Sequence, residues 1–102
     1  MDFKLSRIAR NDLWDITDYY VGINPDLADR FVNEFNATLY ALCINPGLGS
    51  RRYAHFLPDR SLRVWQLDRF PFLIFYREDS GFLSIIRILD ERRDLSADLI
   101  TH

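Results

Sequence analysis

Apolar residues fall at helical spacing in the first half of the chain and at strand spacing in the second. Phe3-Lys4-Leu5 alternates over a short run and predicts a first strand. Ser6 is placed to cap a following helix, in which Ala9, Leu13, Ile16 and Tyr20 recur at i, i+4, i+7 and i+11 on one face. Asp12, Asp15 and Asp18 lie largely off that face, and Gly22 is expected to stop the helix. Asn24-Pro25 is a start signal, with Asn24 as N-cap and Pro25 as the first helical residue. Ala28, Phe31, Phe35, Leu39 and Leu42 then mark a second apolar face that ends at Asn45-Pro46-Gly47. So short a connection predicts an antiparallel helical hairpin.

From Leu48 to Asp59 no period holds, and a loop is expected. Leu62 to Leu67 alternates weakly and is rich in strand formers. Val64 and Trp65 must face opposite sides of that strand, and periodicity does not say which faces the core. Asp68-Arg69-Phe70-Pro71 reads as a turn. Phe72-Leu73-Ile74-Phe75-Tyr76 is a continuous apolar run, as in a strand covered on both faces. Glu78-Asp79-Ser80-Gly81 predicts a hairpin turn, residues 82–89 a last strand, residues 90–94 a charged loop, and residues 95–100 a short terminal helix. Helices followed by strands indicate an α+β fold: an N-terminal strand and a two-helix antiparallel hairpin packed on an antiparallel sheet of three C-terminal strands. The other sheet face is expected to stay partly open, as a docking surface.

A chain of 102 residues, 48% hydrophobic, suits one domain over 1–102 with an adequate core. There is no signal-peptide pattern and no apolar run of membrane-spanning length, and the lone Cys43 sits in an apolar helical pattern. Together these fit a cytoplasmic protein. Net charge is −2, but residues 1–50 hold four basic and seven acidic side chains, whereas residues 51–102 hold nine basic and eight acidic. Every basic residue but Lys4 is Arg, the side chain best suited to bidentate contact with carboxylate or phosphate. No metal-ligand set or phosphate-cradling loop is present, so no cofactor is expected. The charge balance gives no reason to expect direct sequence-specific DNA binding.

The ordered pattern resembles the ParE/RelE toxin superfamily of type II toxin–antitoxin systems, nearer to ParE. The resemblance rests on Ala9-Arg10-Asn11-Asp12-Leu13-Trp14-Asp15-Ile16, on Asn24-Pro25 through Ala28-Asp29-Arg30-Phe31, and on Asn45-Pro46-Gly47-Leu48-Gly49. It continues through Leu62-Arg63-Val64, Phe70 to Tyr76, Ile85 to Leu89, and Arg92-Arg93-Asp94. It implies a toxin neutralised by a cognate antitoxin, ParD-like or other, whose acidic amphipathic tail folds onto the hairpin and sheet. The implied activity is poisoning of DNA gyrase. The alternatives are ribosome-dependent mRNA cleavage of RelE type, or a relic that only binds antitoxin.

RNA cleavage would draw on Arg51, Arg52, His55, Arg63, Arg87 and Asp90, with the arginines holding phosphate and His55 or Asp90 moving protons. Where the resemblance leads one to expect His or Tyr after the last strand, the chain has Leu89-Asp90-Glu91, and an ionised Asp90 would repel a phosphate. The reading therefore favours a target-binding toxin over an enzyme. Arg63, Arg87, Arg92 and Arg93 are its candidate target contacts, and Trp14, Tyr20, Trp65 and Arg63 its candidate antitoxin contacts. Arg63 and Arg87 have a second reading as internal ion pairs, and Arg92 and Arg93 as solvated charge.

Overall fold

The computed structural model describes residues 1–53, 57, 59–93 and 95. The elements are β1 (Asp2–Leu5), α1 (Arg7–Ile23), α2 (Pro25–Ile44), a 3-10 turn (Pro46–Leu48), β2 (Arg63–Gln66), β3 (Phe72–Asp79) and β4 (Phe82–Asp90). The α+β expectation holds, with one addition. β1 pairs parallel with β4 while β2, β3 and β4 pair antiparallel, giving a mixed sheet in the order β1-β4-β3-β2. Of the terminal helix expected over 95–100 only Leu95 is described, and His55 and Asp94 lie outside the described residues.

The cap signals act as read, except at Gly22. The Ser6 hydroxyl accepts from Ala9 N–H at 3.0 Å and donates to Ile86 O at 2.9 Å, so it starts α1 and ties it to β4. α1 runs through Gly22 to Ile23. The stop is Asn24, forced extended by the following proline, whose amide donates to Tyr20 O while its side chain accepts from Asp26 N–H. One residue thus ends the first helix and starts the second. The turn joining β3 and β4 is tighter than expected: Glu78 and Asp79 pair with Leu83 and Phe82, leaving Ser80-Gly81 at φ 46° and 86° as a two-residue turn.

The apolar run in β3 divides by parity. Ile74 and Tyr76 join the core beneath the helices with Phe31, Phe35, Leu39 and Leu42, while Leu73 and Phe75 face the other way. That other face is not the open docking surface expected. Leu73, Phe75, Val64 and Leu89 are buried there beneath Leu57 and Leu62, with Tyr53 and Leu95 packed alongside. The aperiodic segment before β2 supplies the cover, so β2, β3 and the end of β4 are buried on both sides, while β1 stays largely exposed.

An ion-pair triad pins that segment. Arg77 on β3 binds both Asp59 and Asp79. Asp59 is held below the usual carboxylate range by the Ser61 hydroxyl and then Arg77, and Asp79 by Arg77. A carboxylate whose folded pKa is depressed contributes stability that is complete above its unfolded value, about 3.9, and is lost as pH falls through the folded value. Arg77→Met is therefore expected to lower stability at neutral pH, with a gap to the parent that is constant above about pH 5 and narrows below it. Urea melts at several pH values check this.

Candidate functional site

The arginines singled out on the strands are held inside the fold. Arg87 on β4 meets Asp12 on α1 in a two-pronged contact, Nε to Oδ2 at 2.7 Å and Nη2 to Oδ1 at 3.0 Å. Asp12 Oδ2 also accepts from Ile88 N–H at 3.0 Å. The two side chains are only 12% and 15% exposed. Past the short pairing with β1, α1 runs along the edge of β4, and Asp12 satisfies a strand amide that β1 does not reach. Arg63 on β2 donates through Nη1 to Gly49 O at 2.8 Å. The two arginines stand on strands separated by β3, each tied to a group from a different segment, so they do not converge on an open face. For Arg87 the internal ion-pair reading is the one the geometry supports.

Next to Arg63, the Tyr76 hydroxyl donates to Pro46 O at 2.8 Å and accepts from Gly49 N–H at 2.7 Å. This closes the end of α2 onto β3. Gly49 passes so close that a Cβ there would lie 2.7 Å from Tyr76 Cε1. The Asn45-Pro46-Gly47-Leu48-Gly49 motif is thus a clamp for the chain leaving α2, and Tyr76 is its buried partner.

Asp90 and Arg92 form a second two-pronged pair at the end of β4, with Nε–Oδ1 at 2.9 Å and Nη2–Oδ2 at 2.6 Å. The Arg92 guanidinium holds the Asp90 carboxyl below the usual carboxylate range, which makes it a weak base. Arg92 and Arg93 are exposed. Glu91 N–H donates to Pro71 O, and the Asp68 and Arg69 amides both donate to Glu34 on α2. This end of the molecule therefore presents Arg69, Arg92 and Arg93 on a backbone anchored to the core. Arg51 and Arg52 are also exposed, with the Arg52 guanidinium 5.1 Å from the Tyr53 ring centre.

The apolar docking candidates divide. Trp14 is 70% exposed and stands beside a groove of about 440 Å³ lined by Leu13, Thr17, Asp18 and Val32, between the two helices. Tyr20, placed on the apolar face of α1 but also named as an antitoxin contact, is core. Its ring lies 5.3 Å from Phe70 and 5.6 Å from Phe31, and it is 8% exposed. Burial also raises its phenol pKa. Trp65 packs on the helix side and Val64 on the far side, which decides the orientation of β2.

Other exposed apolar residues were not among the candidates. Tyr40 and Ile44 on α2 adjoin Phe3 around a hollow of about 480 Å³. They lie at i and i+4, off the main stripe of α2, and that spacing was the available signal. The helical layer thus carries uncovered aromatic surface, while the far end carries arginine.

The chain matches the family model described as ParE toxin of type II toxin-antitoxin system, parDE, over residues 3–95. The chain belongs to the ParE toxin family. Among solved structures, this ParE-family chain is similar to the chromosomal ParDE TA system from P. aeruginosa, at 30% identity and a TM-score of 0.70, covering 86% of this chain and 92% of that one. No curated protein matches. Among the described residues of this ParE-family chain, no helix is long and apolar enough to cross a membrane.

Proposed function

We propose that the chain is the toxin of a type II toxin–antitoxin module, neutralised by a ParD-like antitoxin and acting by binding DNA gyrase. The observation that carries this reading is the ParE-family match over nearly the whole chain, in a fold whose strand arginines are committed to internal contacts. An RNA-cleaving site would need Arg63 and Arg87 turned to one phosphate and a competent base nearby. Arg63 instead holds Gly49 O, Arg87 holds Asp12, and Asp90 is bound to Arg92. His55 lies outside the described residues. These contacts favour binding over cleavage.

The antitoxin is assigned to the hairpin. An amphipathic helix would lay apolar side chains in the groove beside Trp14, and its acidic residues would find the arginines of the strand half. Trp14→Ala is expected to weaken antitoxin binding roughly thirtyfold, about 2 kcal/mol, because a large exposed aromatic beside a groove is the typical anchor of such an interface. Calorimetric titration with the neighbouring-gene antitoxin tests this. An unchanged Kd in a folded variant would move the antitoxin elsewhere.

The target contact is assigned to Arg92 and Arg93. Expression without antitoxin should arrest growth with gyrase-dependent double-strand breaks, and Arg92→Ala/Arg93→Ala should relieve the arrest at equal folded level. Cleaved mRNA with intact chromosomes would favour the RelE-type alternative. Normal growth at a high folded level would favour an antitoxin-binding relic.

A further inference from the structure

The two edges of the sheet are treated differently. On β2, Ser50 pairs with Val64 through both backbone bonds, Ser50 N–H to Val64 O and Val64 N–H to Ser50 O, and this blunts that edge. β1 ends the sheet on the other side. Ser6 N–H donates to Ile85 O at 2.9 Å. By strand alternation the even-numbered residues turn their amide groups to β4, so Phe3 and Leu5 turn theirs outward.

The side chains alternate as well. Phe3 and Leu5 lie on the helix side, Phe3 in the hollow with Tyr40 and Ile44, and Leu5 against the core. Lys4 lies on the other side, with its ammonium 4.3 Å from the Phe82 ring centre.

We propose that this edge pairs with the same edge of a second copy, antiparallel and centred on Phe3. The sequence Met1-Asp2-Phe3-Lys4-Leu5 is complementary to itself in reverse. A two-fold axis through Phe3 sets Asp2 opposite Lys4 of the other copy, twice, on one sheet face. It sets Phe3 opposite Phe3 and Met1 opposite Leu5 on the other face. The outward amide and carbonyl of Phe3 form the closely hydrogen-bonded central pair that such an axis requires.

The axis is perpendicular to the sheet, so both helical hairpins end on the same side. There Tyr40 and Ile44 of each copy, 71% and 69% exposed, flank the Phe3 pair and extend the buried area beyond four-residue strands. A closed, isologous contact results, in which a single self-complementary strand serves both partners. A partner of different sequence would need neither the acidic–aromatic–basic order nor its symmetry about Phe3.

The test is sedimentation equilibrium of the antitoxin-free full chain, over a broad concentration range, with three charge variants. By symmetry each single change alters two cross-strand pairs. Asp2→Lys and Lys4→Asp each place like charges opposite one another twice, and should weaken the dimer roughly tenfold to thirtyfold. The double exchange Asp2→Lys/Lys4→Asp restores complementarity and should return the dissociation constant to within about threefold of the parent. Both sites are exposed, and thermal melts should show the same fold in all three variants. A parent that stays monomeric throughout, or a double exchange as weak as the singles, overturns the proposal. Protection of the Phe3 and Leu5 amides only when antitoxin is added would also overturn it, and would give the edge to a partner strand.

Discussion

Gly49→Ala is expected to destabilise the chain by about 4 kcal/mol, enough to leave much of it unfolded at 37 °C. The added methyl would lie 2.7 Å from Tyr76 Cε1 and closer still to the hydroxyl, inside any real contact distance. Tyr76 cannot retreat, because its ring is wholly buried and its hydroxyl is engaged on both sides. Overpacking at such a site costs about 1–3 kcal/mol, and each buried hydrogen bond left unmade adds about 1–3 more. The control lies two residues away in the same motif. At Gly47 the nearest atom to an added Cβ is Asn45 Oδ1 at 3.5 Å, an ordinary contact. Gly47→Ala should therefore change stability by no more than about 0.5 kcal/mol. Denaturant melts of the two variants check both halves, and equal losses would refute the clamp.

Asp12→Ala is the second large effect, at about 3 kcal/mol. It removes the carboxylate that the Arg87 guanidinium, 12% exposed, grips in a two-pronged contact, and it removes the acceptor of the Ile88 amide. Breaking one side of a mostly buried pair costs about 3–5 kcal/mol, whereas replacing both partners with apolar groups of similar volume is often close to neutral. Asp12→Leu/Arg87→Met should accordingly recover more than half of the loss. The pair also bears on function. If Arg87 serves to hold α1 against β4, the double variant keeps its toxicity while Arg87→Ala loses toxicity only as far as it unfolds. A folded double variant without toxicity would return Arg87 to the target surface.

Much of the fold was legible because its signals are local. Asn24-Pro25 fixes the hairpin, and the spacing of Phe31, Phe35, Leu39 and Leu42 fixes the face that α2 buries. What escaped depends on distant partners. Nothing near Arg87 in sequence announces Asp12, 75 residues earlier, and nothing near Tyr76 announces the Pro46–Gly49 segment. The segment before β2 has no period because Leu57 and Leu62 cover the sheet without belonging to it, and so nothing in the spacing announces that the far face is covered.

Tyr20 carried two readings, a place on the apolar face of α1 and an antitoxin contact. Phe31, Phe70 and Phe72 surround its ring, so the apolar face is where it belongs. At the candidate site Trp14, Tyr40 and Ile44 are all exposed, and the last two lie off the main stripe of α2, whose periodicity carries no signal of a partner.

Gyrase poisoning is tested by DNA supercoiling with purified gyrase in the presence of the folded, antitoxin-free chain. Supercoiling should be blocked or linear DNA should accumulate, added antitoxin should reverse the effect, and Arg92→Ala/Arg93→Ala should reduce it. Full supercoiling activity in the presence of excess folded chain would contradict gyrase poisoning.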